Sequence, residues 1–145
     1  MKCGPDTTIQ GRQITPPDDY SGAYFVSLSL KDRSGRELSQ SLYTVPDING
    51  SYSRLLARPK PQLQKDVKIN SNTATVRLRN TGSTPALSIR LKLIAADGNE
   101  ILPVIYSDNY FHLLPSQEKT VSVRWSGEDV RGEARVEVSD FSERQ

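Results

Sequence analysis

Between Leu63 and Asp140 apolar and polar residues alternate in short runs, and turn residues interrupt the runs about every ten positions. TATVRLRN places Ala74, Val76 and Leu78 on one face and Thr75, Arg77 and Arg79 on the other. In LSIRLKLIA, residues Leu87, Ile89, Leu91 and Leu93 oppose Ser88, Arg90 and Lys92. KTVSVRW sets Val121, Val123 and Trp125 in one phase, and ARVEVSD does the same with Ala134, Val136 and Val138. LQKDVKIN adds Leu63, Val67 and Ile69, and ILPVIYS and the stretch after it supply further short segments. A side-chain period of two is the strand period, and no segment carries the 3.6-residue stripe of a helix. Ser71-Asn72 and the Asp97-Gly98 pair supply tight turns, the second by the hairpin preference for Asp-Gly. Roughly seven short strands spaced in this way predict an all-β, immunoglobulin-like β-sandwich.

The same period appears earlier. In YFVSLSLK, residues Tyr24, Val26, Leu28 and Leu30 alternate with Phe25, Ser27, Ser29 and Lys31. DRSG is a turn, and RELSQSLYTV returns as a second strand, so 24–45 reads as a β-hairpin. Alone it would be marginal, because two strands need a third or a covering face. Residues 46–61 hold three prolines and Asn49-Gly50, the marks of a boundary or crossover, with one helical turn in SYSRLLA. Residues 1–19 have no periodicity and again three prolines. The expected organisation is a disordered tail or linker over 1–19, a hairpin plus crossover over 20–58, and the sandwich over 59–145.

Composition narrows the function classes. A chain of 145 residues with 35% hydrophobic and 25% charged residues suits a globular domain rather than a disordered one. Nineteen Lys and Arg against 17 Asp and Glu leave +2, too little for the concentrated basic face that nucleic acid requires. Arg54, Arg58, Lys60, Lys65 and Lys68, with Tyr52 nearby, form only a modest basic run, read as solvated surface. Cys3 is alone, so neither an internal disulfide nor a thiolate metal site is expected. No segment approaches the roughly 20 apolar residues of a membrane span, and MKCG lacks a signal-like apolar run, so the compartment stays open.

The stretch richest in candidate chemistry is YSDNYFHLLPS, residues 106–116, which holds the single histidine. Ser107, Asp108 and His112 are the residue types of a nucleophilic triad, but no Gly-x-Ser-x-Gly turn exposes a nucleophile. One His and one Asp also fall short of the ligands zinc takes, and no metal or other cofactor is expected. The structural alternative makes Asp108 and Asn109 turn residues that bond nearby backbone, with Tyr110, Phe111, Leu113 and Leu114 in or between the sheets. Glu100 follows Asp97-Gly98 on a hairpin tip, where nothing buries it as a glycosidic general acid needs. Exposed aromatics could stack on sugar rings. Tyr52, Tyr106, Tyr110 and Trp125 are the candidates, although Trp125 shares the inward phase of Val121 and Val123.

ILPVIYSDNYFHLLPSQEKTVSV, residues 101–123, resembles the last domain of family 2 glycoside hydrolases of the exo-β-glucosaminidase and β-mannosidase type. There a stretch of the form L-P-V-x-[WY]-S-D-N-Y-x-x-L-x-P-G-E precedes an alternating strand. Ser116-Gln117-Glu118 stand here where that family has Pro-Gly-Glu. RNTGSTPALSIRLKL resembles its N-x-[ST]-x-x-P-A strand pair, and residues 24–45 resemble the hairpin that ends the preceding sandwich domain. The resemblance implies a non-catalytic, carboxy-terminal accessory domain. Its partners would be the catalytic barrel and the preceding sandwich, with a part in shaping the cleft rim. The barrel needs about 250 residues and has no counterpart in this chain, so no catalytic residue is carried over. Tyr106, Asp108, Asn109 and Tyr110 are the candidate glycan or interdomain contacts. The alternative function is a carbohydrate-binding module. The resemblance also implies a periplasmic or secreted setting, and no nucleic-acid or membrane partner is expected.

Overall fold

The computed structural model describes residues 5–11, 13–16, 22–126 and 133–144, and the chain divides into two compact units, 1–55 and 56–145. The tail expected over 1–19 lies partly outside the described residues. Its described part, 5–11 and 13–16, is exposed and forms neither strand nor helix.

In the first unit β1 (Tyr24–Lys31) and β2 (Glu37–Val45) pair antiparallel. The turn is built on Asp32, whose carboxylate accepts the N–H groups of Ser34 at 2.9 Å and Arg36 at 3.0 Å. Gly35 takes the left-handed conformation, φ 86°, that closes it. Register places Tyr24 opposite Val45 and Val26 opposite Tyr43, so these four share one face with Leu28 and Leu30. Leu28, Leu30 and Tyr43 are exposed on it. A single helical turn, α1 (Ser53–Leu56), follows where SYSRLLA predicts one.

The second unit is an immunoglobulin-like sandwich. Its strands are β3 (Leu63–Asn70), β4 (Thr73–Asn80), β5 (Ala86–Ile94), β6 (Val104–Tyr106), β7 (Phe111–Leu113), β8 (Glu118–Trp125) and β9 (Arg135–Ser139). One sheet has the order β3-β4-β8-β6, the other β7-β5-β9. Strict alternation decides which side chains enter the core. Ala74, Val76 and Leu78 of β4 and Val121, Val123 and Trp125 of β8 meet Ile89, Leu91 and Leu93 of β5, Phe111 and Leu113 of β7, and Val136 of β9. Trp125 is in the core, as its phase predicts.

Three segments depart from the sequence reading. The strand expected over 101–107 shrinks to Val104–Tyr106, because Pro103 has no N–H to give a ladder. Ile101 is nevertheless buried, and its N–H donates to the Leu93 carbonyl at 2.9 Å. In β5 both Ala86 and Leu87 are buried: the pairing with β7 slips between Ala86 and Ile89, where Ser88 sits at φ 48°. Ile69 keeps its inward phase but stands at the end of β3 and is 44% exposed.

Candidate functional site

Residues 106–112 lie where the chain leaves β6, at the edge of the first sheet, and enters β7 of the second. Pairing of Tyr106 with Val123 turns the phenol inward, and its Oη accepts the N–H of Leu93 at 3.0 Å. Burial raises the pKa of this phenol, which therefore stays protonated. Ser107 extends the pairing with β8. Its N–H donates to the Ser122 carbonyl at 2.8 Å, and its hydroxyl accepts the Ser122 N–H at 2.9 Å.

Asn109 performs the most specific task. Its Oδ1 accepts the Leu91 N–H at 2.8 Å, and its Nδ2 donates to the Leu91 carbonyl at 3.1 Å. β7 meets β5 only at Leu113–Ala86 and Phe111–Ile89. Beyond Ile89 the edge of β5 would be bare, and the Asn109 amide supplies the donor and acceptor that another residue of β7 would have supplied. Asp108 fixes the approach: its carboxylate accepts the Asn109 N–H at 2.8 Å and pairs with Lys119. The Lys119 ammonium also lies 4.8 Å from the centre of the Phe111 ring.

Tyr110 departs from the core or inter-sheet position that the turn reading gave it. Its N–H donates to Asn109 Oδ1 at 3.1 Å, its φ is 61°, and this left-handed step accompanies a ring that is 53% exposed. Phe111 and Leu113 do enter the core. His112 points away from it, and its Nδ1 accepts the Ser88 N–H at 2.9 Å, filling the gap left by the slipped register. Burial holds the imidazole below its ordinary pKa of 6.5, in the neutral form that can accept.

Ser107, Asp108 and His112 are therefore committed to different partners: β8, Lys119 and β5. Among the described residues no three His, Cys, Asp or Glu gather as a metal site. Glu100 is exposed and flanked by cations, Arg90 at 3.4 Å and Lys92 at 3.5 Å. The basic run is not one face of the second unit. Arg58 is buried against Asp140, with Nη2 to Oδ2 at 2.5 Å, and Lys65 donates to the Val136 carbonyl at 2.9 Å. A groove of about 440 Å³ on the outer side of β3, β4 and β8 is lined by Gln64, Lys65, Asp66, Arg77, Arg79 and Glu118, with no aromatic residue for a sugar to stack on.

The sequence reading passed over two groups. Asn80 is fully buried in phase with Leu78, and its Nδ2 donates to the carbonyls of Thr84 and Leu113 at 2.8 and 3.0 Å. A polar residue at an inward position of β4 was the signal for it. The Arg58–Asp140 pair joins positions 82 residues apart, and no local pattern marks it.

The fold and this cluster define an immunoglobulin-like domain in which the polar groups of Tyr106, Ser107, Asp108, Asn109 and His112 hold its own strands together. The chain belongs to the family of the exo-β-D-glucosaminidase Ig-fold domain, whose model matches residues 41–142. It is 32% identical to an exo-β-D-glucosaminidase of Streptomyces avermitilis over 89% of this chain and 18% of that protein. A second, of Hypocrea jecorina, is 30% identical over 74% of this chain and 15% of its own length. The crystal structure of the Amycolatopsis orientalis exo-chitosanase CsxA shares the fold, with a TM-score of 0.74 at 24% identity, covering 89% of this chain and 18% of that one. The chain thus spans less than a fifth of the length of these relatives.

Proposed function

We propose that the chain is a non-catalytic, architectural domain of a glycosidase that releases sugars from β-glucosaminides, and that it packs against the other domains and contributes to the cleft rim. The single observation that carries the reading is the family match over 41–142 in a chain that spans 18% of its relatives. The internal engagement of the 106–112 motif agrees with it. The purified chain is expected not to turn over a nitrophenyl β-glucosaminide, and turnover by the pure protein would overturn the reading.

Within this proposal the hairpin 24–45 is the end of a preceding sandwich domain. The family model begins at residue 41, inside β2, which leaves β1 outside it. The apolar face of Tyr24, Val26, Leu28, Leu30, Tyr43 and Val45 is what such a domain would cover. Residues 56–145 produced alone should melt as cooperatively as the full chain; failure to fold without the hairpin would count against this assignment.

The exposed ring of Tyr110 favours one second reading, a glycan contact. It predicts chemical-shift changes confined to the surroundings of Tyr110 on titration with chitosan or mannan oligomers. A flat titration would remove it.

A further inference from the structure

Among the described residues β9 pairs with β5 and with no other strand. Along an antiparallel ladder, pairs that exchange N–H···O bonds alternate with pairs whose peptide groups face away from each other. Leu91 spends both peptide groups on Asn109, while Leu93 receives from Ile101 and donates to Tyr106, all on the side away from β9. Their partners across the ladder are Val138 and Val136. The peptide groups of Val136 and Val138 therefore face outward from β5, along the free edge. The Val136 carbonyl shows this orientation directly, because it accepts the Lys65 ammonium at 2.9 Å. Val136 itself is only 3% exposed, with Lys65 lying over its carbonyl, so the groups open at this edge are those of the half-buried Val138, which have no partner among the described residues.

A groove of about 240 Å³ runs beside this edge, lined by Lys60, Pro61, Leu63, Lys65, Leu78 and Val138. Asp140 also borders it, but its charge is met by Arg58. The charges left on the rim are the two lysines, and the apolar surface open to the groove is that of Pro61, Leu63 and Val138, since Leu78 has no exposed surface. A strand edge offering the N–H and carbonyl of Val138, next to an apolar slot, is the geometry of strand addition. Lysine on such an edge discourages pairing with neutral or basic strands, and a carboxylate on the incoming strand would offset its charge.

We propose that the free edge of β9 receives an extended segment of the parent enzyme from outside these 145 residues, with apolar side chains in the groove and a carboxylate at Lys65. The inference rests on reading the chain as one domain of a larger protein, and it names where that protein takes hold. The source is argued from length: more than four fifths of each relative lies outside the matched part. The acidic character is argued from Lys60 and Lys65.

Hydrogen exchange read by mass spectrometry on peptides spanning 133–140 tests it, in this chain and in the intact parent. In the chain alone the amide of Val138 should exchange at nearly unprotected rates, whereas that of Val136, 3% exposed, should not. In the parent the Val138 amide should slow by roughly 100-fold or more, as amides drawn into a stable ladder do. Unchanged exchange there, with another surface of the domain newly protected, overturns the inference and leaves the architectural reading standing. No new protection anywhere overturns both. Protection that grows with concentration of the chain alone makes the occupant a second copy and also overturns the inference. Lys65→Glu in the parent should restore fast exchange at 133–140 while the isolated variant melts like the wild-type chain. Protection that survives the reversal overturns the carboxylate assignment.

Discussion

Replacing Asn109 with alanine takes away a bonding partner from both peptide groups of Leu91, a residue 1% exposed, and from the N–H of Tyr110. The Tyr110 N–H is beside an exposed ring and can turn to water, so it adds little. The Leu91 N–H and carbonyl cannot. Each buried group left without a partner costs about 1–3 kcal/mol. The expected destabilisation is therefore about 2–6 kcal/mol, and some relaxation of β5 puts it in the lower half, at about 3 kcal/mol. Against a total of about 5–15 kcal/mol for a domain of ordinary stability, that is a large share. At about 4–8 °C per kcal/mol for a small domain, the melting temperature should fall by roughly 12–24 °C. Asn109→Asp sharpens the test, since it keeps an acceptor for the Leu91 N–H but sets a carboxylate oxygen against the Leu91 carbonyl. It should destabilise at least as much as alanine, and more when the carboxylate is ionised. Urea denaturation followed by circular dichroism measures the first effect, and amide exchange at Leu91 localises it. A ligand-contacting asparagine on the surface would cost no more than about 0.5 kcal/mol when removed. A loss that small, with Leu91 exchange unchanged, would refute the role given to Asn109 in completing β5.

Asp140→Ala leaves the buried Arg58 guanidinium without its carboxylate, the two side chains being only 6% and 3% exposed, and should cost about 3–5 kcal/mol in urea denaturation. A loss under about 1 kcal/mol would mean the pair is not held as seen here. Tyr106→Phe removes the acceptor for the Leu93 N–H, a residue with no exposed surface, and should cost about 1–3 kcal/mol with faster exchange at the Leu93 amide. Unaltered exchange there would contradict it. His112 titrates below its ordinary 6.5 because it is buried, so the unfolded chain takes up the proton first as pH falls. Its contribution to stability is complete above pH 6.5 and declines below it, until the folded imidazole is also protonated. The melting temperature should drop more steeply between pH 7 and 5 in the wild type than in His112→Gln, and parallel profiles would dismiss the effect.

Legibility in the sequence followed burial. β4, β8 and β9 bury one side only, so Val76, Val123 and Val136 announced both the strand and its inward face. Lys65 and Lys119 share inward phases with Val67 and Val121, yet both end on polar partners: the Val136 carbonyl for one, Asp108 for the other. A two-state pattern of polar and apolar residues has no symbol for a side chain whose stem is apolar and whose tip is charged. In the sequence Tyr110 stays undecided between sheet and surface for a different reason. Its outward turn accompanies a bond from Asn109 to a strand 18 residues earlier, and local spacing does not contain that distance. The immunoglobulin-like class was legible because it depends on many alternating positions at once, whereas the candidate site depended on a few long-range bonds.

The two edges of the three-stranded sheet explain why residues 106–112 looked like a binding site. To complete a strand edge with side chains, a protein needs an amide that donates and accepts, a phenol that reaches across a layer, and turn residues that aim them. Those are also the residue types that recognise a sugar, so composition alone cannot separate the two uses. What separates them is the partner. On the β7 side of β5, the partners of Asn109 and Tyr106 are peptide groups of Leu91 and Leu93, buried where water cannot replace the lost bonds. On the β9 side the outward peptide groups of Val138 meet no such substitute among the described residues, and Lys65 reaches the Val136 carbonyl. A domain that spends its most versatile side chains on closing one edge of its own sheet therefore carries, at that edge, the composition of a binding site.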